Sequence, residues 1–252
     1  MDYKRFFFTF FIILLMSFGC AITQVSKQSA TIITDDQKKI AATYYPAPSP
    51  NSPGVILLPD TRCSRKYFGH FPTKLNEAGF AVLAMDFRYK DLIAQAKSRE
   101  EAISTIQKQD LYSIVKHDIK SAINFLSGQK GVNPERIALI GTSLGTRVGL
   151  ISGVKFKIKA LVLISLSGQE ALPGGKPIKQ LLEEYGDRPI LFMTSEKDWG
   201  GNYKAAEHNK LYFNWAKGEK ELKIWPGSGH GPDILNIDEA SHFVLSWLKN
   251  NL

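Results

Sequence analysis

Residues Gly141-Thr142-Ser143-Leu144-Gly145 set a serine between two glycines, directly after the apolar run Ile137-Ala138-Leu139-Ile140. G-x-S-x-G between a strand and a helix is the pattern of a nucleophile elbow, a tight turn that pushes the serine side chain into the open. Gly141 and Gly145 carry no Cβ, so the chain can turn sharply and neighbouring backbone can approach. The N–H of Leu144, at the expected helix start, then faces outward and suits an anion. The competing reading is a glycine-rich turn with an incidental serine, and residues elsewhere must decide.

A serine hydroxyl is a poor nucleophile near neutral pH. It needs an adjacent base, and the base needs an orienting acid. The chain has five histidines. His117, His208 and His242 fall within helical patterns, and His70 precedes a helix; surface or packing roles suit all four. His230 instead lies in Pro226-Gly227-Ser228-Gly229-His230-Gly231, a flexible stretch after the last expected strand. Asp198 closes the segment Leu191-Phe192-Met193-Thr194-Ser195-Glu196-Lys197-Asp198, again after a strand. Asp187 precedes that strand and sits at the wrong end. Glu196 is the fallback acid. The expected triad is Ser143, Asp198 and His230.

These residues need a scaffold that brings distant loops together. An expected hairpin joins residues 31–34 to 40–45, followed by a Pro/Ser loop. Residues 54–58, 80–85, 136–140, 160–164, 189–193 and 222–225 read as strands, most of them continuously apolar as in a sheet buried on both faces. Helical patterns separate them at 71–78, 111–126, from 144, at 203–217 and at 238–252. Such alternation implies an α/β fold: a mostly parallel central sheet of about eight strands with helices on both faces. Sites in such sheets lie at the carboxyl ends of the strands, where all three triad candidates are placed. Insertions are expected near 90–110 and 167–187, large enough for a small cap but not for a second domain.

In order, spacing and topology, the elbow, the Glu196-Lys197-Asp198 turn and Gly229-His230-Gly231 resemble the α/β-hydrolase superfamily, in its dienelactone-hydrolase-like and serine-peptidase-related branch. The resemblance runs from about residue 31 to the end. It implies an α/β-hydrolase fold and acyl transfer to water through an acyl-enzyme. Dienelactone hydrolases proper carry cysteine at the elbow; Ser143 points to ordinary esters or related acyl compounds. The resemblance also implies an oxyanion hole made by the N–H of Leu144 and one from the loop after residue 58. There the family often has His-Gly, and this chain has Pro59-Asp60-Thr61-Arg62. Proline has no N–H to give; Thr61 is the first choice and Arg62 the second.

The substrate is expected to be a small acyl compound. Arg62 and Arg147 are candidates to receive a carboxylate or phosphate, with plain surface charge as the alternative. Tyr67, Phe68 and Trp199 are candidates to line the pocket, with core packing as the alternative. The histidines lack metal-ligand spacing, and no glycine-rich nucleotide loop occurs, so neither metal nor cofactor is expected. A small peptidase, an acyltransferase and a non-catalytic binding protein of the cell envelope are the rival functions.

The first residues belong to targeting rather than to the fold. Lys4 and Arg5 precede an apolar run over residues 6–18, suited to a signal h-region and too short to span a bilayer. Gly19-Cys20 then resembles a bacterial lipoprotein signal, which implies lipidation at Cys20, a tether over residues 20–30 and a protein anchored in the cell envelope. Plain secretion with cleavage near Ala21 and an uncleaved anchor are the alternatives. The other cysteine, Cys63, is expected to be sheltered. The net charge of +8 is spread over scattered lysines, with no nucleic-acid motif beside it. Oligomeric state leaves no mark in the sequence.

Overall fold

The strands form where the apolar runs are longest, because each faces hydrophobic neighbours on both sides. In the computed structural model they are β1 (Gln28–Ile33), β2 (Lys39–Tyr45), β3 (Ser52–Leu58), β4 (Ala81–Met85), β5 (Val132–Thr142), β6 (Ala160–Ile164), β7 (Ile190–Ser195) and β8 (Lys220–Trp225). The structure describes residues 26–166, 168, 175–198 and 204–252. The expected signal segment, Cys20 and Trp199 lie outside the described residues. Among the described residues no helix is long and apolar enough to cross a membrane.

The eight strands make one sheet in the order β1-β2-β4-β3-β5-β6-β7-β8. β1 and β2 pair antiparallel, as do β2 and β4; every pairing from β4 through β3 to β8 is parallel. Alternate residues of each central strand feed two separate cores. Ile56, Leu58, Leu139, Leu161, Leu163 and Phe192 point to one. Val55, Leu57, Ile140, Val162, Leu191 and Met193 point to the other. This two-sided burial is the physical reason that the strands read as unbroken apolar runs.

The helices are α1 (Phe71–Glu77), α2 (Lys90–Ile93), α3 (Arg99–Gln107), α4 (Leu111–Ser113), α5 (Lys120–Ser127), α6 (Leu144–Phe156), α7 (Ile178–Tyr185), α8 (Ala205–Trp215) and α9 (Asp238–Asn251). α1 and α9 cover the second core through Phe71, Leu75, Val244, Trp247 and Leu248. α5, α6, α7 and α8 cover the first. A π-helical stretch, Ile114–Ile119, joins α4 to α5, so the helix expected over 111–126 is continuous but locally widened. The expected insertion near 90–110 holds α2 and α3, and the one near 167–187 holds α7.

Two boundaries differ from expectation. β1 starts within the segment expected as a tether, because Gln28, Ser29 and Ala30 pair with Tyr44, Thr43 and Ala42. β5 runs back to Val132, paired with Ser52. Most of these added residues are polar, and Ala30 and Val132 are isolated rather than part of an apolar run. The chain passes from β3 outward to β4 and then returns across β3 to β5. The reversal leaves a crevice beyond the carboxyl ends of β3 and β5, where an open α/β sheet binds its ligands.

Candidate active site

The turn from β5 into α6 is an elbow. Ser143 has φ +50° and ψ −113°, a conformation that side chains rarely adopt. Two close approaches make the flanking glycines obligatory. A Cβ on Gly141 would stand 2.2 Å from Gly145 O, and one on Gly145 would stand 2.2 Å from Leu58 O. The elbow is tied sideways to the next strand by Ser143 N–H donating to Ile164 O at 2.9 Å. Leu144 is the first residue of α6, so its N–H has no acceptor one turn back.

Asp198 and His230 meet, although 32 residues separate them. Nδ1 of His230 lies 2.5 Å from Asp198 Oδ1. Asp198 is only 2% exposed, and its second oxygen accepts from two hydroxyls, Ser165 Oγ at 2.6 Å and Thr194 Oγ1 at 3.0 Å. The loop bearing His230 is pinned on both sides of the ring. Ser195 Oγ donates to Gly229 O at 2.5 Å, and Gly231 N–H donates to Ser165 Oγ at 2.8 Å. This loop also rests on the elbow: a Cβ on Gly231 would stand 3.5 Å from Thr142 Cβ and 3.9 Å from Ser143 Cβ. The three residues singled out in the sequence thus occupy one neighbourhood. An imidazole anchored through Nδ1 to a buried carboxylate can act as a base at its other nitrogen.

The loop after β3 forms the facing wall. Asp60, 4% exposed, accepts from the Arg62 guanidinium, with Nε at 2.9 Å and Nη2 at 2.5 Å from Oδ2. Asp60 Oδ1 also takes the Arg62 backbone N–H at 2.9 Å. That contact consumes the second-choice oxyanion donor. Among the described residues nothing accepts from the Thr61 N–H. Asp60, Thr61, Arg62 and His230 line a cleft of about 390 Å³, with Arg99 and Ala102 of α3 on its rim.

The remaining candidates separate. Arg62 lies in the cleft wall, but its guanidinium is held by Asp60 and stacks 3.4 Å from the Tyr67 ring centroid. Tyr67 is exposed and belongs to this stack. Phe68 is a core residue, 2% exposed beside Phe71 and Leu75. Arg147 reaches Gly168 on the neighbouring loop. Glu196 is exposed and engages Trp225 through its backbone N–H, and it is Asp198 that meets His230. Cys63 is fully buried, and burial pushes its thiol far above its usual range. His117 pairs with Asp35, His208 Nδ1 accepts from Gly168 N–H, and His242 Nδ1 contacts Asp238 O.

Asp35, Asp36 and His117 bring possible metal ligands within 4.8 Å of one another. Arg88 and Lys120 already pair with those carboxylates, so the cluster is neutralised from within. Ser165, Thr194 and Ser195 were missed in the sequence. Each stands at the carboxyl end of β6 or β7, and position alone was the available signal.

The dienelactone hydrolase family model matches residues 40–233. The chain belongs to the dienelactone hydrolase family. It is accordingly a hydrolase of the α/β-hydrolase fold. A relative from a Bradyrhizobium species, described as "Probable 2-oxo-3-(5-oxofuran-2-ylidene)propanoate lactonase", is 24% identical over 201 residues, covering 78% of this chain and 80% of that protein. Among solved structures, the dienelactone hydrolase of Anabaena variabilis superposes with a TM-score of 0.65 at 17% identity, covering 91% of this chain and 99% of its own. A cold-adapted esterase from an Arctic intertidal metagenomic library gives 0.67 at 17% identity, covering 90% and 94%. At these identities the two structures speak for the fold.

Proposed function

We propose that this member of the dienelactone hydrolase family is a serine hydrolase of small carboxylic esters. The observation that carries the reading is the buried Asp198–His230 pair at 2.5 Å, set against the elbow that presents Ser143. In the reaction, Ser143 Oγ attacks the ester carbonyl carbon while His230 takes its proton. Asp198 keeps the imidazole in the required tautomer and stabilises the imidazolium. The N–H groups of Leu144 and Thr61 receive the developing oxyanion, each contributing about 3 kcal/mol. His230 then protonates the departing alcohol. Water, deprotonated by the same imidazole, cleaves the acyl-enzyme.

The cleft of about 390 Å³ favours compact substrates. The lactonase name of the Bradyrhizobium relative adds cyclic esters to the class. The test is a fluorophosphonate probe on the purified protein. Wild type is expected to label and Ser143→Ala to stay unlabelled; labelling that persists in the variant identifies another nucleophile. Turnover of p-nitrophenyl esters beside peptide anilides then divides esterase from peptidase. For the N-terminus, we read residues 1–19 as an export signal and Cys20 as the lipid-bearing residue of an envelope protein. Palmitate incorporation that survives Cys20→Ala overturns that assignment.

A further inference from the structure

The acid and the base are joined a second time through a residue outside the triad. We infer that Ser165 is a positioning residue, holding Asp198 and His230 in one closed ring of contacts; the inference rests on the hydrolase chemistry proposed above. Ser165 directly follows β6 and is 1% exposed. Its hydroxyl makes two contacts, with Gly231 N–H at 2.8 Å and Asp198 Oδ2 at 2.6 Å.

The direction of both bonds is fixed by their partners. An amide N–H only donates, so the contact with Gly231 uses an oxygen lone pair. A hydroxyl has one proton, and it is left for the carboxylate. A carboxylate only accepts, which assigns the His230 Nδ1 proton to Asp198 Oδ1 at 2.5 Å. Gly231 is covalently next to His230, so the path returns to its start. The Gly231 contact fixes the backbone from which the imidazole projects, and the carboxylate cannot turn without breaking a bond at Oδ2.

The backbone adds a second argument. Ser165 has φ +63°, a region that favours glycine. Its N–H is spent on Met193 O at 2.7 Å. Glycine would make the same backbone bond with less strain, so what serine contributes here is its hydroxyl.

Two variants separate positioning from architecture. Ser165→Gly removes the hydroxyl and suits the backbone. Relief at positive φ offsets only part of what is lost when Gly231 N–H and Asp198 Oδ2 give up a buried partner, so Tm is expected to fall modestly, while kcat falls roughly tenfold to a hundredfold with KM unchanged. The downfield imidazole Nδ1 proton resonance should shift or broaden with it. Ser165→Thr keeps the hydroxyl but puts a β-branched residue at positive φ, so it should lose Tm and retain most of kcat. Turnover then separates two variants that both lose Tm. If Ser165→Gly turns over like wild type, or if Ser165→Thr loses as much kcat as Ser165→Gly, the role is overturned. A wild type that neither labels with fluorophosphonate nor hydrolyses an ester overturns the proposed function and this role together. An active wild type beside an equally active Ser165→Gly overturns this role alone.

Discussion

At the scale of single residues, three of the seven non-glycine residues with positive φ among those described follow strands that border the site. Ser143, Ser165 and Cys63 all have positive φ, and they follow β5, β6 and β3 respectively. Residues held this way cost about 1–3 kcal/mol each and persist where surrounding structure overrides them. Here the surroundings are the carboxyl ends of adjacent parallel strands. The proposed triad gives a direct prediction at this scale. Asp198→Asn can keep its one oxygen toward both hydroxyls only by turning its amide NH2 to His230 Nδ1, which imposes the wrong imidazole tautomer. kcat is expected to fall by about 10⁴ with KM little changed, measured by steady-state ester hydrolysis. A loss below about tenfold would remove Asp198 from the mechanism.

At the scale of elements, the contact between α6 and β3 constrains the elbow as tightly as the approach between its own two glycines. Gly145→Ala would drive a methyl into Leu58 O, and neither backbone can retreat without moving the elbow. The expected cost is about 3 kcal/mol, which is roughly 6–12 °C in Tm for a domain of this size, with activity lost alongside. Thermal melting and turnover of the same sample check both. The β1–β2 hairpin is secured differently. At its turn, the Arg88 guanidinium holds the Asp36 carboxyl well below the usual range, with help from Thr34. A carboxyl depressed in the folded state stabilises above its unfolded pKa, and that stability is lost as pH falls through the folded value. Asp36→Asn should therefore lower Tm near neutral pH, and the gap to wild type should close in acid. A gap independent of pH would show that Asp36 acts by shape alone.

Legibility also divides at this scale. The five strands β3 to β7 were readable because each holds an apolar run buried on both faces, whereas β8, at the sheet's edge, offered only a short mixed run. The start of β1 was not readable, since Gln28 and Ser29 are exposed on an edge strand and only pairing with β2 orders them. Ser143, Asp198 and His230, the proposed triad, stand out in the sequence because each follows an expected strand and their types combine into one chemistry. Ser165, Thr194 and Ser195 follow such strands too. Their task depends on distances across separate strands, and a hydroxyl carries no periodic signal of its partner. Phe68 shows the opposite failure: an aromatic residue in a candidate pocket loop turned inward to the core.

At the scale of the whole molecule, the proposed hydrolase chemistry makes the cleft the bound on substrate size. Its volume of about 390 Å³ lies near the lower end of ligand pockets, about 300–1,000 Å³. For p-nitrophenyl esters, kcat/KM should peak at short acyl chains and decline as the chain lengthens. A rate that keeps rising to long acyl chains would mean that the acyl group lies elsewhere.

The sheet order places the site unevenly. Ser143, Ser165 and Asp198 follow β5, β6 and β7, each flanked on both sides, whereas His230 follows β8, which has one neighbour and is part-exposed along most of its length. Margins of a fold open locally at lower free energy than its centre. Turnover should therefore fade in mild urea before the far-ultraviolet circular dichroism changes, and hydrogen exchange should be fastest in β8 among the parallel strands. The sheet's fraying edge would then act as the thermostat of activity, switching the protein off while most of its structure still stands.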